Sequence, residues 1–370
     1  MYTLSVLFLF FGLYLSICIW IFLIVTDTYR KISVKGISRI QKGFVKAVDG
    51  HFALLSQNQM PDEHEIIMIC DKCEKQRYKE YFLHSFIYSV DKIKDKNMVK
   101  RYFEIVFPYL TDMLQFGKKS NYSARSYKLM LLGEFRKDSE EINTFIFNAL
   151  DDDSFDVRTN ALRALSLIGN ANFFNKGLLK CCKSTKYNNH RHITEMMGSF
   201  EGDIEELRKL ILRSFCQSSD LYQYNAIVYL TDIVSDESMD FVISCIDDTI
   251  KNKEVIIACL RYFDACKIHD IAKNIILKTL EDDDMEIRAV AVKLTPKYFM
   301  YNNKVIRLIS GEKYLKSKDW HVRRNSAEAL VKIGLAKEEI VEKLETEDKY
   351  AKDALVYAML TKGRAGGTYD

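Results

Sequence analysis

The chain has 370 residues, 48% of them hydrophobic, and sets 54 Lys+Arg against 51 Asp+Glu for a formal net charge of +3. That near balance excludes the global basic surface of a general polyanion binder. Three prolines and fifteen glycines are too few for a turn-rich strand fold, so the expected class is all-α, with long helices and short polar turns. Nine cysteines, an odd number without framework spacing, suit reduced thiols better than a disulfide scaffold.

Met1 to Thr26 carries no charge, and Leu4–Val25 reads LSVLFLFFGLYLSICIWIFLIV. At 1.5 Å per residue this run would reach roughly 33 Å, against a bilayer core of about 30 Å. Residues 1–26 are therefore expected to be one transmembrane helix. A cleaved signal peptide would need a basic start, a shorter apolar centre and a small-residue cleavage site. Cations follow closely at Arg30, Lys31, Lys35, Arg39, Lys42 and Lys46, which predicts a single-pass protein of the cell membrane, N-terminus outside and the bulk of the chain in the cytoplasm.

Residues 27–60 read as a basic amphipathic juxtamembrane segment. Ile37, Ile40, Phe44 and Val48 share one stripe, while Lys35, Arg39, Lys42 and Lys46 share the other. Two readings follow. The four cations contact anionic lipid of the inner leaflet, or the segment is a first packed helix whose lysines are simply solvated, and both hold if the helix packs inward and shows its basic face to lipid.

From about residue 90 a period of about 33 residues takes over. LDDDSFDVRTNALRALSLIG from Leu150, LEDDDMEIRAVAVKLTPKYF from Leu280 and LKSKDWHVRRNSAEALVKIG from Leu315 align. In each, the leucine lies eight positions before an arginine (Arg158, Arg288, Arg323), and a β-branched residue precedes that arginine. Weaker copies centre on Arg125, Arg191, Gln223, Ile256 and the stretch after Tyr350. About eight helix pairs are expected, each unable to bury its apolar face alone. Residues 61–362 are the predicted repeat array and 363–370 a tail.

The pattern L-x-D-x-[DS]-x-[DE]-[VI]-R-x-x-A resembles the second half of a short bacterial HEAT repeat. Leu150, Asp152, Asp156, Val157 and Arg158 carry it, as do Leu280, Asp282, Asp284, Glu286, Ile287 and Arg288. Leu315, Asp319, Val322 and Arg323 carry it with Ser317 replacing the first acid. The resemblance implies a right-handed α-solenoid of helix pairs. It also implies a structural ladder of acids and arginines between successive units, here Asp152, Arg158, Asp282, Arg288, Asp319 and Arg323.

The chemistry-bearing clusters support little else. The acidic turns have the alternate-residue spacing of a calcium loop, but Val157 or Ile287 stands where glycine is needed and no glutamate closes the loop. Carboxylates there suit helix capping instead. Cys70-x-x-Cys73 with His64 is half a zinc site. Asn160, Asn225 and Asn325, two positions after the arginine site, suit hydrogen bonding between repeats or a peptide-gripping face. No phosphate-loop, dinucleotide, zinc-protease or nucleophile-elbow motif occurs, so no catalytic residue, metal or cofactor is expected. Some HEAT-like proteins are DNA glycosylases or bilin lyases, and Asp319-Trp320 is the one hint of such a site.

The expected function is a membrane-tethered scaffold that binds a membrane-associated protein partner. The layout resembles bacterial HEAT-repeat proteins associated with family 2 glycosyltransferases of exopolysaccharide export. The alternative is a HEAT-like nucleic-acid binder or a glycosylase- or lyase-like enzyme.

Overall fold

The computed structural model describes residues 11–24, 42–117, 120–184, 190–248, 252–334 and 348–365, and among them there is no strand. Among the described residues the first helical stretch, in α1, is 11–24. No helix among the described residues is long and apolar enough to cross a membrane. The expected single-pass anchor and its cell-membrane localisation are corrected accordingly. Residues 1–10 and 25–26 of the expected anchor lie outside the described residues, as do Lys35 and Arg39.

The described chain forms two compact units, divided after Gly169. The first contains α2 (Lys42–Ser56), α3 (Glu63–Lys72), α4 (Gln76–Val90), α5 (Lys96–Val106), a 3₁₀ segment (Phe107–Leu114), α6 (Tyr122–Phe135), α7 (Glu140–Ala149) and α8 (Phe155–Ile168). Alternate helices stack, α2 on α4, α4 on α6 and α6 on α8, while α3 packs beside α5. This is the arrangement that pairs of one-sided helices require.

The amphipathic stripe of α2 turns inward. Phe44 and Val48 are buried, and the Phe44 ring meets Tyr78 of α4 edge-on at 4.8 Å. Lys42 and Lys46 stay exposed on the opposite face. The apolar stripe of α2 therefore packs as the packed-helix reading expects. An aromatic core fills the rest of the unit: Phe103 stacks on Phe135 at 4.0 Å and meets Phe86 at 4.6 Å.

The second unit contains α9 (Ala171–Lys183), α10 (His190–Gly198), α11 (Ile204–Phe215), α12 (Asp220–Asp232), α13 (Asp236–Asp248), α14 (Lys253–Ala265), α15 (Asp270–Leu280), α16 (Met285–Tyr298), α17 (Asn303–Ile309), α18 (Trp320–Ile333) and α19 (Lys349–Ala365). One row stacks as α10, α12, α14, α16, α18 and α19; in the other, α9 packs beside α11 and α13 beside α15. Within each unit, the second helix of a repeat is the one that stacks on its counterpart in the next.

Helix ends follow local chemistry. Asn121, Ser139, Asp203, Asn252 and Asn302 cap starts by accepting backbone N–H groups. Gly169 and Gly334 close α8 and α18 at φ 78° and 85°, the left-handed conformation that favours glycine.

Candidate interaction surface

The acidic turns form one recurring device. In each strong copy the side chain six positions before the arginine accepts a backbone N–H two residues on. Asp152 accepts from Ser154 at 2.9 Å, Asp282 from Asp284 at 2.8 Å, and Ser317 from Asp319 at 3.2 Å. Serine thus substitutes for aspartate because both are short oxygen acceptors. The arginine then folds back through Nη1 onto the turn carbonyls. Arg158 reaches Asp152 O and Asp153 O at 2.7 and 2.8 Å, and Arg288 reaches Asp282 O and Asp283 O at 2.6 and 2.8 Å. Arg323 donates to Ser317 O and Lys318 O. These carbonyls lie in the turn between the two helices, just before the N-caps Ser154, Asp284 and Asp319 of the second.

Arg125 and Asp152 form a rung of the inter-repeat ladder. Arg125 grips Asp152 with two bonds, Nε to Oδ2 at 2.8 Å and Nη2 to Oδ1 at 3.0 Å. Burial alone would raise the Asp152 carboxyl, but the hydrogen bonds from Arg125 and the Ser154 N–H, with the charges of Arg125 and Arg158, hold it below its ordinary value. Asp319 instead caps α18, accepting from the Val322 N–H at 2.9 Å. Its carboxylate has the capping role of Asp284, which accepts from Glu286 and Ile287.

The asparagines tie neighbouring repeats. Asn160 donates to Ser126 Oγ at 2.6 Å, Asn325 to the Ala289 carbonyl at 2.7 Å, and Asn225 accepts from Thr194 at 2.8 Å. They are therefore committed to packing and do not project as a free gripping face. Cys70 and Cys73 are buried, with burial raising both thiols to about 12, and no His/Cys/Asp/Glu cluster that could hold a metal occurs among the described residues.

A surface feature escaped sequence reading. The first residue of the second helix, three before the arginine site, is large, apolar or aromatic, and exposed in four copies: Tyr122 at 55% and Phe155 at 41% in the first unit, Met285 at 48% and Trp320 at 51% in the second. Just after a helix cap the side chain lies beyond the packed seam, and its recurrence at one repeat position was the signal. Around Trp320 the feature becomes a site. Tyr350 and Tyr357 of α19 are exposed beside it, and the Arg324 guanidinium lies 6.0 Å from the Trp320 ring centre and 5.6 Å from that of Tyr357. Arg323 lies 5.4 Å over Tyr350. These side chains, with Asp353 and Ala354, line an open cleft of about 290 Å³.

The fold and this surface define an all-α helical-repeat protein with an exposed aromatic and arginine patch. No protein-family profile matches the chain, and no curated protein matches it. Among solved structures it is similar to the complex of CpcE and CpcF of phycocyanin lyase from Nostoc sp. PCC7120, at 15% identity over 71% of this chain and 93% of that one, with a TM-score of 0.29. At that score the likeness carries no argument about fold or activity, and nothing in the comparisons links the chain to a glycosyltransferase.

Proposed function

We propose that the protein is a non-catalytic binding platform whose last repeats hold a protein partner through the Trp320–Tyr350–Tyr357 patch. The observation that carries this reading is the exposure of three aromatics interleaved with Arg323 and Arg324 around one cleft. Trp, Tyr and Arg dominate interface hot spots because they bury large areas while keeping a polar handle. Two of the rings are held under guanidinium groups, so little side-chain freedom remains to be lost on binding. The same geometry would suit stacked nucleobases, which predicts a different salt response.

The test places a photo-crosslinking amino acid at Tyr357 in the full chain and, as control, at exposed Tyr88. Support is one discrete protein adduct at Tyr357, absent at Tyr88 and lost on Arg324→Glu. No adduct, identical adducts at both positions, or adducts to nucleic acid would overturn the reading.

A further inference from the structure

Helices α11 and α13, the first helices of two successive repeats, run side by side in a fixed register. Arg208 of α11 is 5% exposed and bonds Glu237 of α13 at 2.6 Å, the Phe215 and Phe241 rings meet edge-on at 5.4 Å, and Cys216 Sγ lies 3.9 Å from Cys245 Sγ. Arginine to glutamate and cysteine to cysteine are both separated by 29 residues, so the sulfur contact belongs to a regular helix–helix seam and not to a chance approach of loops. The two thiols differ in access. Cys216, at the C-cap of α11, is exposed; Cys245 is 4% exposed.

We infer that Cys216 and Cys245 form a redox modification site, a dithiol that a hydroperoxide converts to a disulfide stapling α11 to α13. Cys216 is the sulfur that solvent reaches, so its thiolate attacks hydrogen peroxide: an S–O bond forms, the O–O bond breaks, and hydroxide leaves. The Cys245 sulfur then attacks Cys216 Sγ; the S–S bond forms, the S–O bond breaks, and the hydroxyl departs with the Cys245 proton as water. Two thiols and one peroxide become one disulfide and two waters. The sulfurs must close from 3.9 Å to about 2.0 Å. Burial raises the Cys245 thiol to about 12, which keeps it protonated and inert towards solvent oxidant until Cys216 presents an electrophilic sulfur. Cys259, fully buried on α14, is the thiol least open to oxidant and serves as the internal control.

The test treats the purified full chain with a small excess of hydrogen peroxide, alkylates, and maps peptides without reductant. The expected product is one Cys216–Cys245 linked peptide, reversed by dithiothreitol, with seven of the nine thiols still titrating in denaturant, nine less the two consumed. Cys259→Ser should give the same bridge. Cys245→Ser should leave Cys216 as a sulfenic acid trapped by dimedone. Nine free thiols after treatment, a sulfinic Cys216 beside an alkylated Cys245, or a different pairing would overturn the inference.

Discussion

Two seams between successive second helices, α6–α8 and α16–α18, are built from the same repeat but held differently. At α6–α8 the approach is close: a Cβ on Gly133 would stand 2.7 Å from Ala164 Cα. Arg125 and Asp152 add a bidentate rung, and Asn160 bonds Ser126. At α16–α18 Pro296 stands at the repeat position of Gly133, Ser317 replaces the acid of the rung, and Asn325 bonds the Ala289 carbonyl. Arg288, which would be the rung's donor, has its Nε buried without a hydrogen-bond partner. The turn device is therefore shared by the three strong copies, while the tie to the next repeat varies from seam to seam.

The largest way to break the difference is Gly133→Leu. It forces backbone apart at α6–α8 and should cost about 3 kcal/mol in chemical denaturation, because overpacking a helix seam moves main chain. Asp152→Ala comes next at about 2 kcal/mol, since it removes the turn acceptor and strands the Arg125 guanidinium. The pH dependence has a fixed sign. The folded carboxyl is depressed, so the unfolded chain binds the proton more readily; the stabilisation is full above the unfolded value of about 3.9 and lost as pH falls through the folded one. The stability gap between wild type and Asp152→Asn should accordingly shrink between pH 5 and pH 2.

Smaller effects sharpen the comparison from the other side. Ser317→Asp supplies an acceptor for the unpaired Arg288 Nε and should raise stability by about 1 kcal/mol, a gain abolished in an Arg288→Lys background. Ser317→Ala loses only one turn hydrogen bond and should cost about 0.5 kcal/mol. Calorimetry on the full chain would rank all four substitutions.

The turn module was readable because it is local: Leu, acid, β-branched residue and arginine all fall within nine residues. Its detail was less legible, because Arg158, Arg288 and Arg323 bond main-chain carbonyls of their own turns and a sequence motif marks only side chains. The exposed patch was hidden for a related reason. Helix α8 is buried on most sides, from Ala161 and Leu162 through Ala164 to Ile168, so a helical wheel could not say which residues of a second helix face outward. The Cys216–Cys245 and Arg208–Glu237 contacts required knowing that α11 and α13 run in register. The apolar run at the start misled because composition measures hydrophobicity alone, while no helix among the described residues is long and apolar enough to cross a membrane.

That the recurring aspartates hold repeats together is tested most directly by a double-mutant cycle between Arg125 and Asp152, read by reversible denaturation at pH 7. A coupling energy of about 1–3 kcal/mol, which falls when the cycle is repeated at pH 3, is the predicted result. Additive single-substitution effects, with no coupling at either pH, would contradict it.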